Sequence, residues 1–362
     1  MADNSNTLND SVHSMLIKLG NELGFDRIAA GPLHTPVTMA FYDKWLAQSY
    51  HGNMHYLQDH RDKKAQPTLI QENLRSAIAV SHRYFPAPRP HPNKLPARIA
   101  TYARNEDYHF WMRTKLQQLV DSLKLKFPQN QFLAYVDSGP VLERDLAQRL
   151  GLGWFGKNTC LIHPKDGSLF FIAEILTDLE VSISEPAQPL PDFCGTCNKC
   201  IEVCPTQALI EPRVLRADRC ISYLTIEEKG APPPELRDKI GDWFFGCDLC
   251  QTVCPWNRKV FRSLSLENEK GTEIEVRLTP SAEERSALIE YFRFLFTASH
   301  NRILKFHEGS ALTRAGAKGL KKNALIVSAN MELFELAPEI RGATGVDEEL
   351  RDWTLKKLKT PT

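Results

Sequence analysis

The sequence predicts a mixed α/β protein of three parts, and three observations separate these parts. Predicted strands alternate with predicted helices up to about residue 185, which is typical of an α/β domain. Eight of the nine cysteines then fall between Cys194 and Cys254, and the pattern after residue 260 is mostly helical. The 362 residues are enough for two or three cores. We therefore predict a multidomain α+β or α/β fold with domains at 1–185, 186–260 and 261–362.

The first part is predicted to contain helices and strands in alternation. Apolar residues at helical spacing predict helices over 8–24, 38–50, 107–126 and 141–150. Short β-branched and aromatic runs predict strands over 25–30, 78–80, 99–102, 132–136 and 169–176. A proline-rich loop (Pro86, Pro88, Pro90, Pro92, Pro96) separates the second and third strands, and the segment 184–191 links this part to the next.

The cysteines of the second part have the spacing of iron–sulfur ligands. One run reads C-x2-C-x2-C-x3-C-P from Cys194 to Pro205, a second reads C-x2-C-x3-C-P from Cys247 to Pro255, and Cys220 lies between them. In two-cluster ferredoxins the fourth cysteine of each run crosses to the other cluster. The predicted ligand sets are therefore Cys194, Cys197, Cys200 and Cys254 for one 4Fe–4S cluster, and Cys204, Cys220, Cys247 and Cys250 for the other.

Two alternatives for these cysteines are zinc sites and a disulfide framework. Zinc sites usually pair two C-x2-C knuckles, and disulfide frameworks are typical of small secreted chains. Neither explains two C-x3-C-P endings. Two clusters pass single electrons, so the remaining three-quarters of the chain must use those electrons. The ninth cysteine, Cys160, precedes an apolar strand and is predicted to be a small core residue, and His109 and His163 are predicted to be structural.

Composition limits the location and the partners of the chain. Lys and Arg total 45 against 44 Asp and Glu, a formal net charge of +1, so nucleic-acid binding would need a local basic patch. The first residues resemble no signal peptide and no apolar run reaches the length of a membrane span. Since the cysteines are needed as thiolates, we expect a reducing cytoplasm and no membrane association.

One candidate patch lies near the end of the chain. Between residues 300 and 322 there are six basic residues and one acid; four of the basic ones have the spacing of a single helical face: Arg314, Lys318, Lys321 and Lys322. Leu312, Ala315, Leu320, Ala324 and Val327 are predicted to lie on the other face. Such a basic face suits phosphate contacts, and it is equally typical of an ordinary solvated helix.

Asp137 is the candidate acid of the first part. It ends the strand over 132–136 and precedes Ser-Gly-Pro, a turn that places a carboxyl at a sheet edge. The alternative is a helix N-cap, because a predicted helix begins near Val141. A proton donor must itself be protonated, so catalysis would require burial to raise the pKa of Asp137.

Several short sequence motifs between residues 136 and 256 resemble those of the epoxyqueuosine reductase family. They are VDSGPVLER from Val136, GLGWFGKN from Gly151, CISYLTIE from Cys220 and FGCDLCQ from Phe245, with HGNM at His51 and DYH at Asp107 in support. The resemblance extends over about residues 10–330. It implies a cytoplasmic, monomeric enzyme that removes the epoxide oxygen from epoxyqueuosine at the tRNA wobble position. It also implies a cobalamin held between an N-terminal domain and the double-cluster module, and an external low-potential electron donor.

The same resemblance implies roles for particular residues. Asp137 is expected to be the general acid, and the basic face near the C-terminus is expected to contact the anticodon stem-loop. The residues expected to line the cobalamin pocket are Lys64, Ala100, Asp137, Leu161, Ile172, Ser222, Asp248 and Leu249. For Lys64 the alternative is a solvated basic surface. The helical C-terminal part is expected to be HEAT-like and shorter than in relatives with extra helical repeats.

Two other functions fit the cysteine pattern. A reductive dehalogenase would share corrin chemistry and cluster wiring, but these enzymes usually carry a twin-arginine export signal that the start of this sequence lacks. A plain electron-transfer protein would bind no corrin. The Asp-x-His-x-x-Gly motif that supplies a histidine ligand to cobalamin is incomplete here, because Asp107-Tyr-His109-Phe-Trp is followed by Met112. A cobalamin without a protein histidine ligand is what the resemblance to the epoxyqueuosine reductase family implies.

Overall fold

The computed structural model describes residues 3–84, 95–181, 189–258, 260 and 281–359. The helices are α1 (Asp3–Glu22), α2 (Met39–Ala47), α3 (Tyr56–Asp59), α4 (Arg61–Ala65), α5 (Tyr108–Lys126), α6 (Glu143–Arg149), α7 (Lys199–Glu202), α8 (Ile221–Ile226), α9 (Pro234–Ile240), α10 (Leu249–Thr252), α11 (Ala282–Thr297), α12 (His300–Phe306), α13 (Gly316–Asn330), α14 (Ala337–Gly342) and α15 (Glu348–Lys357). The strands are β1 (Arg27–Pro32), β2 (Ser76–Arg83), β3 (Arg98–Ile99), β4 (Phe132–Tyr135), β5 (Trp154–Phe155), β6 (Leu161–Ile162), β7 (Phe170–Thr177), β8 (Leu209–Glu211), β9 (Val214–Leu215) and β10 (Trp243–Phe245).

A four-stranded antiparallel sheet organises the N-terminal part. Its strand order is β1-β2-β7-β4, and each neighbouring pair runs antiparallel. Side chains alternate across the sheet, so Ile78 and Val80 of β2 face α1 and α5, whereas Ala77 and Ala79 face α6. The alternation of helices and strands therefore builds a two-sided antiparallel sheet. Asp137 follows β4, the strand at one edge of this sheet.

The predicted strand over 99–102 is wrong in both length and position. Only Arg98 and Ile99 are extended, and a 3-10 turn over Thr101–Arg104 follows them. This short strand, β3, pairs in parallel with β10 of the cysteine-rich part instead of joining the four-stranded sheet. The pairing attaches the first part of the chain to the second. Four prolines of the predicted loop, at 86, 88, 90 and 92, and most of the predicted link lie outside the described residues.

One apolar core connects residues from all three predicted parts. It contains Ile99 of β3, Leu224 of α8, Phe244 of β10 and Leu325 of α13, together with many residues of the C-terminal helices. Helix α13 lies at its centre and is buried over most of its length. Within the described ranges, no helix is both long enough and apolar enough to cross a membrane.

Candidate active site

The eight predicted ligands form two groups in space. The thiol of Cys200 interacts with those of Cys194 and Cys197, and the thiol of Cys254 interacts with those of Cys194 and Cys200. The thiol of Cys247 interacts with those of Cys220 and Cys204, and that of Cys250 with those of Cys247 and Cys220. The structure therefore brings together the members of each predicted ligand set, including the crossed fourth cysteines. In the described part of the chain, no three His, Cys, Asp or Glu side chains converge as they would around a single ion.

The two groups differ in their surroundings. Around the first group, residues 191–193, 195, 196 and 198 are exposed, and an aromatic cluster of Trp154, Phe193 and Trp256 packs beside it. The second group faces the N-terminal part. The Asn158 side-chain amide donates to the Cys250 carbonyl at 3.1 Å, and the Tyr84 hydroxyl donates to Gln251 Oε1 at 3.3 Å. We therefore name the Cys194 set the outer group and the Cys220 set the inner group.

Cys160 lies directly against the inner group. Its thiol is hydrogen-bonded to the thiol of Cys250, and this contact lowers the pKa of Cys160. Arg144 and Asp248 also lie within electrostatic reach of this thiol. No sequence pattern indicated this contact, because 90 residues separate the two cysteines and only tertiary packing brings them together.

Asp137 lies on the loop after β4, the strand at one edge of the sheet, and we call the accessible space in front of its carboxyl the cleft. Its backbone is left-handed, with φ 59°, and the Ser138 N–H donates to the Val136 carbonyl at 2.7 Å, which forms a tight turn. The structure gives no N-cap role to Asp137, since α6 begins at Glu143 with Leu142 as its cap residue. The Asp137 side chain is 58% exposed. Its carboxyl is therefore accessible to a ligand from one side and held by protein from the other.

Two neighbouring residues of α5 hold this carboxyl. The Tyr108 hydroxyl donates to Asp137 Oδ2 at 2.9 Å, and His109 Nε2 lies 3.4 Å from the same oxygen. On its other side, His109 Nδ1 lies 2.7 Å from Asp107 Oδ1. The prediction that His109 is only structural did not foresee this arrangement. The sequence feature that could have indicated it is the Asp-Tyr-His motif, because Asp107, the N-cap residue of α5, also orients the His109 imidazole.

Charge in this cluster is set by His109. Burial would lower the pKa of His109, but its hydrogen bonds to Asp107 and Asp137 raise it to about 9. Partial burial would raise the pKa of Asp137, but the hydrogen bonds from His109 and Tyr108 outweigh it and lower that pKa. This direction is opposite to the raised pKa that a proton-donating Asp137 requires, and the raised pKa of His109 favours a protonated imidazole beside an ionised Asp137.

The residues expected to line a cobalamin pocket fall into two sets, one near the Asp137 loop and one beside the inner group. Lys64 and Leu161 are buried and Ile172 is half-buried near the Asp137 loop; Ala100 and Asp248 are buried, and Ser222 and Leu249 half-buried, beside the inner group. The Tyr102 phenol is within electrostatic reach of both Asp137 and Asp248. Apolar walls with a few polar anchors are what a large, flat corrin requires, so the residues present fit it.

Two of these residues already have protein partners. Asp248 Oδ2 accepts from the Thr101 N–H at 2.6 Å and from the Thr101 hydroxyl at 2.7 Å. The Lys64 ammonium donates to the Val141 carbonyl at 3.0 Å and is buried, so the alternative of a solvated basic surface is wrong for Lys64.

The basic face predicted near the C-terminus is wrong in its geometry. Gly316, with φ 69°, separates Arg314 from α13, so the four residues do not share one helix. Lys322 is buried and its ammonium donates to the Leu224 carbonyl at 2.6 Å, and Lys321 is buried and donates to the Thr344 carbonyl at 3.1 Å. Of the four predicted basic residues, only Arg314 and Lys318 are exposed.

This arrangement defines a class of protein: an iron–sulfur oxidoreductase that also carries a hydrogen-bonded group of titratable side chains at Asp137. Two family models agree with it, the 4Fe-4S double cluster binding domain over residues 193–257 and the epoxyqueuosine reductase QueG model (DUF1730) over residues 64–138. An epoxyqueuosine reductase from Cyclobacterium marinum is 36% identical over 313 residues, which cover 86% of this chain and 95% of that protein.

Solved structures of epoxyqueuosine reductases also match this chain. A crystal structure of a selenomethionine-labelled epoxyqueuosine reductase matches with a TM-score of 0.78 at 28% identity, covering 97% of this chain and 91% of the other. An epoxyqueuosine reductase with a tRNA-Tyr epoxyqueuosine-modified tRNA stem loop matches with a TM-score of 0.75 at 26% identity, covering 97% and 100%. The chain belongs to the epoxyqueuosine reductase family. It is an oxidoreductase, and its cofactors are two 4Fe–4S clusters and cobalamin.

Proposed function

We propose that this chain reduces the epoxide of epoxyqueuosine in tRNA with Asp137 as the side chain that delivers protons. The observation that supports this role is the position of its carboxyl. It is held by Tyr108 and His109 on one side and open to the cleft on the other. Converting an epoxide to an alkene consumes two electrons and two protons and releases water. Cobalamin, when bound, supplies the low-potential chemistry that no amino-acid side chain offers.

The protein's share of this reaction is to hold the substrate and to supply protons. His109 is protonated up to about pH 9 and lies beside Asp137, so a proton can reach the Asp137 carboxyl as negative charge develops on the epoxide oxygen. Tyr108 keeps the carboxyl in place, and Asp107 holds His109 in its orientation. The residues we assign to the cobalamin pocket are Lys64, Ala100, Asp137, Leu161, Ile172, Ser222, Asp248 and Leu249.

Electrons are proposed to enter at the outer group and to leave from the inner group. The loop that carries Cys194, Cys197 and Cys200 is the more exposed one, so an external low-potential donor can approach it. The inner group contacts the N-terminal part through Cys250. In this order, the cluster that is farther from solvent is the one nearer to the reaction.

The tRNA is proposed to approach over Arg314, which lies close to the cleft. The Arg314 guanidinium is 6.0 Å from the centre of the Tyr56 ring and pairs with Glu227 at 2.9 Å, and both Arg314 and Tyr56 interact electrostatically with Asp137. The exposed Lys318 follows it along the chain. We further propose a cytoplasmic monomer, domains at 1–185, 186–260 and 261–362, and a HEAT-like arrangement of the C-terminal helices.

The variant Asp137→Asn tests the proton role. It should bind cobalamin and tRNA, but it should form queuosine at least about 100-fold more slowly, because loss of a general acid typically costs ~10²–10⁴-fold in rate. The measurement is single-turnover conversion of epoxyqueuosine-containing tRNA by the anaerobically loaded enzyme. As a control, Asp121→Asn on the exposed side of α5 should retain wild-type turnover. Wild-type turnover in Asp137→Asn would show that water supplies the protons.

A further inference from the structure

Two further carboxyl groups, those of Glu143 and Glu174, lie next to the Asp137 loop, and neither takes part in the function proposed above. Glu143 begins α6, and Glu174 lies in the middle of β7 with 0% of its surface exposed. Among the described residues, no N–H group or hydroxyl donates a hydrogen bond to either carboxyl oxygen of Glu174 or to Glu143 Oε1. The two side chains contact each other at hydrogen-bond range. Two carboxylates cannot bond to each other, but a carboxylic acid and a carboxylate can.

Both groups touch the turn that carries Asp137. A methyl group added at Gly139 would come within 2.9 Å of Glu174 Oε1, so this carboxyl lies directly under the turn. The Glu143 carboxyl accepts from the main-chain N–H of Asp137. The pair therefore lies against the turn that carries Asp137.

The charges around the pair balance if the two carboxyls hold one proton. Groups that interact with it are Lys64 of α4, Arg144 of α6, Tyr135 of β4 and Asp137. Lys64 is the buried cation among them, while Arg144 is exposed. One shared proton leaves the pair with a single negative charge, which the Lys64 ammonium neutralises. Two ionised carboxylates would instead leave an uncompensated buried charge, which is costly.

Both pKa directions favour a pair that keeps at least one proton at neutral pH. Burial, followed by the negative charge of Asp137, raises the pKa of Glu143 to about 8. Burial, followed by the charge of Glu143, raises the pKa of Glu174 well above its usual value. Paired carboxyls behave in this way when like charges share a site, because the two cannot both ionise easily.

We propose that Glu143 and Glu174 share one proton and form the store from which Asp137 is reprotonated during turnover. This inference rests on the proton role proposed for Asp137. The reaction needs two protons at the same oxygen. Two electrons from the clusters break the two carbon–oxygen bonds of the epoxide, and Asp137 delivers the first proton, drawn from His109, as the first of these bonds breaks. The pair then passes its proton to Asp137 through Glu143, and Asp137 delivers the second, so that the oxygen leaves as water. Solvent reprotonates His109 and the pair.

The first test detects the shared proton without turnover. Infrared spectra of the holoenzyme at neutral pH should contain the band of a buried carboxylic acid, shifted in D2O, that disappears in Glu174→Gln. The same band should decline in the wild type as the pH rises through about 8, where Glu143 is expected to ionise. If both Glu174→Gln and Glu143→Gln retain the wild-type band and its pH dependence, the shared proton does not exist.

The second test measures the role of the pair in catalysis. Glu174→Gln should keep its clusters, its cobalamin and its affinity for tRNA, and its single-turnover rate should fall about 10-fold or more at the pH where the wild type is fastest. The rate should also lose the part of its alkaline pH dependence that lies near pH 8. Glu143→Gln should behave in the same way, and it replaces Glu174→Gln if that variant fails to fold. A purely structural defect would lower the rate equally at every pH, and this result would overturn the proposal.

A matched control is available on the same helix. Asp145 is also buried, but it accepts from Thr38 and Arg149 at 2.8 and 2.7 Å and does not face Asp137. Asp145→Asn should therefore leave the pH profile unchanged, whatever its effect on stability. The two proposals fail separately. Loss of turnover in Asp137→Asn with a wild-type pH profile in both glutamate variants would reject only the proton store, whereas full turnover in Asp137→Asn would reject the role of Asp137 itself.

Discussion

The cysteine-rich region and the Asp137 cluster are adjacent parts of one enzyme, yet they are encoded in opposite ways. The cluster ligands lie within 61 residues, from Cys194 to Cys254, at fixed short spacings. The side chains proposed to handle protons come from five separate segments: α4 supplies Lys64, α5 supplies Tyr108 and His109, the loop after β4 supplies Asp137, α6 supplies Glu143 and β7 supplies Glu174. A cubane cluster needs thiolates on a tight loop, so its chemistry dictates local spacing. A proton path needs only proximity in space, which any packing of distant segments can provide.

The largest expected effect concerns the cysteine-rich region, where local spacing predicts the cluster ligands. Cys194→Ala and Cys254→Ala should lose the same cluster, Cys204→Ala and Cys250→Ala should lose the other, and all four variants should lose turnover, because each cluster is a step in the electron path. Electron paramagnetic resonance and iron content measure this, with about four irons lost per variant. Shared damage to one cluster in Cys254→Ala and Cys250→Ala would reject the crossed ligand sets.

The control for this prediction is Cys160→Ser. Cys160 contacts Cys250 but belongs to neither ligand set, so both clusters should assemble in the variant. Loss of the inner cluster in Cys160→Ser would mean that a side chain from the N-terminal part is a ligand, and local spacing would then be an incomplete guide to the clusters.

Sequence was sufficient where residue spacing follows from chemistry, and insufficient elsewhere. Most helices and strands of the N-terminal part were predicted within a few residues, since apolar periodicity reflects which face is buried. Strand pairing was not predictable: β3 joins β10 from a distant segment. Asp137 was singled out, but its partners Tyr108 and His109 and the buried Glu174 were not, because nothing local marks their approach to it.

The basic residues near the C-terminus show how a local pattern misleads when no chemistry fixes its spacing. Lys318, Lys321 and Lys322 have the periodicity of a solvated face, but α13 is the central helix of the C-terminal core. Two of its lysines reach main-chain carbonyls instead of solvent. Burial depends on which neighbours pack around the helix, and this information lies in other segments of the chain.

A smaller effect is expected from His109→Asn, which tests the Asp137 cluster, whose side chains come from distant segments of the chain. We expect turnover to fall by about 10-fold or more, but by less than in Asp137→Asn, because Asp137 remains and can take protons from the pair behind it or from solvent. Turnover in the wild type should decline as the pH rises through about 9, where His109 loses its proton, and this decline should be absent from the variant. An identical pH profile in the two proteins would return His109 to a structural role.

Thermal unfolding provides a second measurement of the same histidine. The folded pKa of His109 lies above its ordinary value of 6.5, so its protonation favours the folded state. This stabilisation is fully present below about pH 6.5 and is lost as the pH rises through about 9. The difference in melting temperature between the wild type and His109→Asn should therefore shrink over this range. The sign follows because the folded protein binds the proton more tightly than the unfolded chain does.

The smallest expected effect separates the exposed lysine of α13 from the buried one. Lys318→Ala should weaken tRNA binding and flatten the dependence of log affinity on log salt by about 0.7–0.9, the change expected when one phosphate contact is removed. Lys322→Met should leave that slope unchanged and destabilise the fold by about 1–3 kcal/mol, because the Leu224 and Glu228 carbonyls lose their donor. Salt-dependent tRNA titrations and denaturant unfolding measure the two quantities. A changed salt slope in Lys322→Met with an unchanged one in Lys318→Ala would mean that α13 turns its buried face to RNA, and the core described for this helix would then have to open on binding.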